Sequence, residues 1–243
     1  MKLPMSTGER LDVVLQTIGE AAEKSGRARS DVTLVAVTKT HPVSVLHEFT
    51  TLASERGIPA VFGENYIQEI KTKRPAIDPS TEIHLIGPLQ SNKVRDAVTL
   101  CDVIQSVHSL KILELVAKEA TRISKRQRIY LQVNISSDPQ KSGFREDELP
   151  SAIEAVMRSS NVLQLEGFMT ITAFYDLPED ARPDFRKMAQ LRSNVVASGL
   201  TSAFHDHTLR LSMGMSGDYG IAIEEGADLV RVGTALFGER PGQ

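Results

Sequence analysis

Lys39 stands directly after the apolar run Val32 to Thr38, in the stretch LVAVTK. If that run is a strand with Val35 and Val37 facing a barrel interior, period-two alternation puts Lys39 on the same face, at the strand's carboxyl end. Burial there lowers an amine's pKa and raises its neutral fraction, which suits Schiff-base formation with an aldehyde or ketone. A lysine snorkelling to water just past a strand is the competing reading. Arg231 is the second outlier: with Val230 and Val232 facing outward, alternation sends an always-charged guanidinium inward, where it needs a specific partner. A structural ion pair with an inward carboxylate such as Glu166 is the plain alternative.

Polar residues follow or interrupt other apolar runs. Asn65, in the turn GENYIQE, is placed to hydrogen-bond a ligand or to cap the following helix. His84 shares a face with Ile86 and is either a satisfied core histidine or a site residue. Tyr130, Gln132 and Asn134 alternate along IYLQVNIS, which fits a wet barrel mouth or a hydrogen-bonded structural layer. Two glycine-containing turns, LSMGMSGDYG and VRVGTALFG, offer close backbone approach and helix starts that favour an anion, at Gly214, Ser216 and Gly217 and again at Gly233 and Thr234.

Other features carry less. His205, Asp206 and His207 are dense in metal-type ligands but lack a distant third group, so no metal is expected. The charged stretch Lys118 to Arg128 reads as a solvated helix face and its end. No G-x-S-x-G elbow is present, and Cys101 has no evident activating partner.

These residues need a scaffold that brings strand ends together. Eight short apolar runs alternate with helix-spaced segments: Val32 to Thr38, Ala60 to Phe62, Glu82 to Ile86, Val103 to Val107, Ile129 to Ile135, Leu163 to Ile171, Leu209 to Met213 and Asp228 to Val232. Several are apolar at consecutive positions, as buried parallel strands are. The spacing, about 30 residues per unit, predicts an α/β protein with a (β/α)8 TIM barrel. A helix from Gly8 to Lys24, striped with Leu11, Val14, Leu15 and Ile18, precedes the first strand as an extra element. In the segment after the fourth strand, Ile112, Leu115, Val116 and Glu119 have helical spacing. No G-x-G-x-x-G turn supports a dinucleotide fold, and no linker divides the chain, so residues 1–243 are expected to form one domain.

Composition narrows the function classes. The 243 residues are 41% hydrophobic, with 28 Lys and Arg against 31 Asp and Glu, for a net charge of −3. That leaves no basic field for a nucleic-acid backbone. No apolar stretch approaches membrane-spanning length, and a single cysteine without an N-terminal leader pattern predicts a cytoplasmic protein.

Taken together, AVTKTHP, FGENYIQE, HLIGPLQSNK, KSGF, GFMTI, LSMGMSGD and VRVGTALFG resemble the pyridoxal phosphate homeostasis protein family, in order from about Val35 to Gly238. The resemblance implies a single barrel like the N-terminal domain of alanine racemase, carrying pyridoxal phosphate (PLP) as an internal aldimine. It makes Lys39 the Schiff-base lysine and puts Asn65 beside the cofactor, with His84 near its ring. Ser216, Gly233 and Thr234 become phosphate ligands, together with Ser212, and Arg231 is set against the pyridine nitrogen. The sequence departs from the pattern at Ile83, where tryptophan is usual, at Thr38 in place of serine, and in FHDHTLR. The implied role is intracellular storage, buffering or delivery of PLP, through transient contacts with PLP-dependent apoenzymes. A weak racemase using Tyr66 or Tyr175 as second base is the alternative. A racemase's second domain finds no counterpart after Gly238, so no catalytic residue and a monomeric state are the expectations.

Overall fold

The structure, a computed structural model, describes residues 5–136, 141–200 and 208–239. Eight parallel strands close into a barrel in sequence order: β1 (Thr33–Val37), β2 (Val61–Glu64), β3 (Glu82–Leu85), β4 (Val103–Val107), β5 (Gln127–Val133), β6 (Leu163–Thr170), β7 (Arg210–Met215) and β8 (Leu229–Val232). Closure comes from β8 on β1, where Val35 pairs with Arg231. The (β/α)8 expectation holds.

Nine α-helices occur among the described residues: α1 (Thr7–Lys24), α2 (Val43–Glu55), α3 (Ile67–Lys73), α4 (Val94–Leu100), α5 (Leu110–Arg122), α6 (Leu149–Arg158), α7 (Arg182–Ala197), α8 (Tyr219–Glu224) and α9 (Thr234–Phe237). The extra helix α1 buries the predicted stripe Leu11, Val14, Leu15 and Ile18. Ser6 and Glu9 start it with a reciprocal capping box. It packs on α8 and α9 and is tied to α2 by Arg56 on Asp12 at 2.6 Å. Because α9 spans a single turn, α1 fills the gap it leaves in the outer ring of helices. In α5 the buried face is Ile112, Leu113, Val116 and Ala120 rather than one through Leu115 and Glu119. Glu119 is instead the partner of Arg122.

Most apolar side chains lie between barrel and helices. A second, smaller cluster fills the barrel itself: Val35, Val61, Val103, Tyr130, Met169 and Leu229. These inward positions fix by alternation what stands above and below them: Lys39 above Val35, His84 and Gln105 beside Val103, and Arg231 above Leu229. The fifth strand begins at Gln127, two residues before the sequence pattern suggested, because it pairs with β4 and β6 that far. This turns Arg128 inward, away from the solvated face expected of it. It donates to Glu82 and Glu166 at the barrel's amino end.

Candidate functional site

Lys39 lies two residues past β1, partly exposed at the carboxyl mouth of the barrel. Its turn is clamped from the outer side. Lys73 Nζ donates to Thr38 O at 2.7 Å, to Glu64 Oε1 at 2.7 Å and to Glu69 Oε2 at 2.8 Å. Thr38 Oγ1 donates to Glu64 Oε1, and Thr40 N to Glu69 Oε2, each at 2.7 Å. Thr40 takes a positive φ of 68°, a costly backbone for a β-branched residue. The residues on both sides of Lys39 are therefore fixed by a buried lysine between two carboxylates. Burial pushes the Glu64 carboxyl above its usual pKa, against the pull of Lys73 and Thr38.

Lys39 shares a cavity of about 300 Å³ with Asn65, Ser216, Arg231, Gly233 and Thr234, walled by Val37, Ile86 and Ile171. That volume lies at the lower edge of the range for small-molecule sites. Asn65 follows β2, held by Gly87, whose missing Cβ would stand 2.3 Å from Asn65 O. Ser216 Oγ accepts N–H groups of Gly233 and Ala235 at 3.1 and 3.3 Å, stitching the turn after β7 to the turn after β8. Asp218 Oδ1 accepts from Met215 N at 2.6 Å, closing the first of these turns. Gly214 there has φ of +89°, and an added Cβ would meet that of Ala222 at 2.5 Å.

Arg231 is 4% exposed and forms no salt bridge among the described residues. Its Nη1 donates to Ser212 Oγ at 2.8 Å and Nη2 to Thr170 O at 2.7 Å. Burial lowers its pKa to about 10, with only the Asp218 carboxylate opposing. Glu166, the carboxylate partner considered from sequence, is taken by Arg128 at 2.9 Å. A buried guanidinium without a carboxylate is costly unless something else uses its charge.

Two site residues expected from the resemblance stand under the cavity rather than in its wall. Ser212 is fully buried beneath Arg231, and His84, 2% exposed, lies beyond it on the far side of Gln105. His84 contacts Glu82 and Gln105, not the cavity. Burial lowers the His84 pKa against the pull of Glu82, and this lowering favours the neutral ring. The polar row on β5 is a structural layer: Gln132 and Asn134 bind the carbonyls of Ser142 and Lys141, and Phe144 pairs with Val133. His205, Asp206 and His207 lie outside the described residues. Among the described residues no cluster of His, Cys, Asp and Glu could hold a metal ion. Cys101 is buried, its thiol pushed up to about 12 by that burial. No helix among the described residues is long and apolar enough to cross a membrane.

Sequence reasoning passed over Gln105, the Glu64–Lys73–Glu69 clamp and Asp218. Gln105 was legible, since a polar residue two positions from inward Val103 must also face inward. Lys73 was legible only in its i,i+4 pairing with Glu69 on one helix, since Glu64 and the Thr38 carbonyl come from β2 and the turn after β1.

A closed α/β barrel with a lysine at its mouth and a donor-rich cavity beside it defines a class of small-molecule-binding barrel. Residues 16–241 match the family described as alanine racemase, N-terminal domain. A pyridoxal phosphate homeostasis protein of Aquifex aeolicus is 37% identical over 97% of this chain and 99% of its own length. One from Pseudomonas aeruginosa is 38% identical over 97% of each. The chain belongs to the pyridoxal phosphate homeostasis protein family. PipY of Synechococcus elongatus, solved with PLP bound, superposes with a TM-score of 0.80 at 28% identity, over 96% of this chain and all of that one. Alanine racemase of Corynebacterium glutamicum shares the fold, with a TM-score of 0.64 at 16% identity over 95% of this chain and 62% of its own.

Proposed function

We propose that this chain binds PLP in the barrel-mouth cavity, covalently through Lys39, and stores, buffers or delivers it without catalytic turnover. The observation that carries this reading is the convergence of Lys39, Ser216, Gly233, Thr234 and Arg231 on one cavity. The donor set fits the group: an amine for an aldehyde, a hydroxyl with close glycine backbone for a phosphate, and a buried guanidinium with no carboxylate of its own. Relatives at 37% and 38% identity are named for PLP homeostasis, which supports the same reading.

When bound, PLP supplies a reactive aldehyde on an electron-withdrawing ring. Lys39 Nζ would hold the aldehyde, Ser216 with Gly233 and Thr234 would receive the phosphate, and Asn65 would orient the ligand. Arg231, a donor and never an acceptor, would sit against the ring nitrogen and disfavour its protonation, which would weaken the ring as an electron sink. Two-base racemisation needs a second acid–base group opposite Lys39. Tyr175 is a poor one, since its hydroxyl donates to Asp184 Oδ2 at 2.9 Å and burial with that carboxylate pushes its pKa up. Delivery to apoenzymes then rests on reversible release through the open mouth.

Intact mass before and after borohydride reduction, with peptide mapping, tests the binding claim. An adduct on Lys39 is expected, and its absence after incubation with PLP overturns the reading. Exchange of the Cα proton across a panel of amino acids tests the absence of turnover; measurable exchange would establish an enzyme.

A further inference from the structure

A single file of hydrogen bonds runs through the barrel from the cavity floor to the amino end. Arg231 Nη1 lies 2.8 Å from Ser212 Oγ, which is 2.6 Å from Gln105 Oε1. Gln105 Nε2 is 2.7 Å from His84 Nδ1, and His84 Nε2 is 2.9 Å from Glu82 Oε2. Glu82 Oε1 is held by Arg128 Nη1 at 2.7 Å. Ser212 and Gln105 are fully buried.

With the His84 ring neutral, as its lowered pKa favours, and the Glu82 carboxylate ionised, donor counting allows one arrangement. Arginine only donates, so Ser212 Oγ accepts from it and its own proton goes to Gln105. The Gln105 atom facing Ser212 is then the oxygen, and its amide N–H faces His84. His84 Nδ1 must accept, which leaves the ring proton on Nε2, pointing at the Glu82 carboxylate. Every donor points away from Arg231 and toward Glu82. The file links a buried cation without a carboxylate to a distant carboxylate through three neutral groups, and such chains polarise one another.

We propose that Gln105 and His84 are positioning residues for Arg231: they orient the Ser212 hydroxyl so that the guanidinium is held toward the cavity in one geometry. This rests on the PLP reading above for its consequence, namely how Arg231 meets the cofactor ring. Without the file, Ser212 Oγ is free to turn and Arg231 keeps a single fixed partner, the carbonyl of Thr170.

Two variants and two readouts test it. Gln105→Leu cuts the file. Gln105→Glu keeps the shape and the acceptor for Ser212, but sets a carboxylate oxygen against His84 Nδ1, which must then carry a proton. In the cofactor-free protein, the imidazole nitrogen signals of His84 in NMR should report a neutral ring protonated at Nε2. Gln105→Glu should add a second proton at Nδ1, giving an imidazolium between two carboxylates, and Gln105→Leu should leave Nδ1 without its donor. In the loaded protein, Gln105→Leu should change the absorption spectrum of bound PLP and weaken PLP binding about tenfold, equivalent to about 1.4 kcal/mol. Gln105→Glu should stay near wild type in both. A His84 ring protonated at Nδ1 in the wild type, or an unchanged spectrum and affinity in a folded Gln105→Leu variant, overturns the inference. Failure of the wild type to take up PLP at all would instead overturn the PLP reading and leave the NMR test of the file standing.

Discussion

Lys73 Nζ sits 2.7 Å from Glu64 Oε1 with the Glu64 carboxylate wholly out of solvent, and the same ammonium group holds the carbonyl of Thr38, next to Lys39. The pair therefore ties a buried charge to the position of Lys39. Lys73→Met should leave Glu64 buried without its cation, at a cost of about 3–5 kcal/mol. The folded Glu64 pKa is already raised by burial, and it rises further in the variant. A carboxyl with a raised folded pKa favours folding at low pH and costs stability as pH climbs through its unfolded value. The deficit of Lys73→Met in urea unfolding should thus deepen as pH climbs above 4.5, the usual value for this carboxyl. Adding Glu64→Gln should recover part of it. A deficit independent of pH would show that the charge of Glu64 is not its source.

Lys39→Ala removes the amine but leaves Ser216, Gly233, Thr234 and Arg231 around the cavity. Borohydride trapping should fail, while PLP still binds reversibly and more weakly, as seen by equilibrium dialysis. Trapped adduct on another lysine of this variant would contradict the assignment of Lys39 as the sole covalent holder.

The parts of this site visible in sequence are those set by strand alternation. Once Val35 and Leu229 are inward, Lys39 and Arg231 must follow, and the glycine turns after β7 and β8 mark the mouth. What sequence leaves open is the third dimension of polar pairing. From sequence the plain partner for Arg231 was Glu166, but Arg128 turns inward to claim that carboxylate and Arg231 donates to Ser212 instead. His84 likewise shares the inward face of the cavity residue Ile86, yet stands one residue layer too low to line the wall. Alternation gives the face of a strand and not the depth along the barrel, which depends on strand stagger.

Gly87 lines the cavity with no side chain of its own, and a Cβ there would stand 2.3 Å from Asn65 O and 2.6 Å from Asn65 Cα. Both atoms are backbone, so the turn after β2 must move to admit a methyl group. Gly87→Ala should displace Asn65 from the mouth and weaken PLP binding, with the Lys39 adduct still forming at high PLP. Titration of the PLP absorbance against the wild type measures this. Equal affinity would mean that Asn65 does not contact the cofactor.

His84 gives the fold a pH dependence of calculable sign. Burial holds its folded pKa below the usual 6.5, against the opposing pull of Glu82. As pH falls through 6.5 the unfolded chain takes up a proton at this site that the folded chain refuses, so stability declines with acid, by at most about 1.4 kcal/mol per pH unit. Glu82 behaves differently, because the hydrogen bond from His84 holds its folded pKa near about 2, with burial opposing and Arg128 assisting. Its contribution is complete above its usual 4.5 and fades only below that value. The window between about pH 5.5 and about pH 7.5 therefore isolates the histidine from that carboxylate. Chemical denaturation across it should show a steeper loss for the wild type than for His84→Gln, which cannot be protonated. Parallel curves would mean that His84 takes its proton as readily in the folded barrel as in the unfolded chain, and that the file of hydrogen bonds beneath Arg231 does not require a neutral ring.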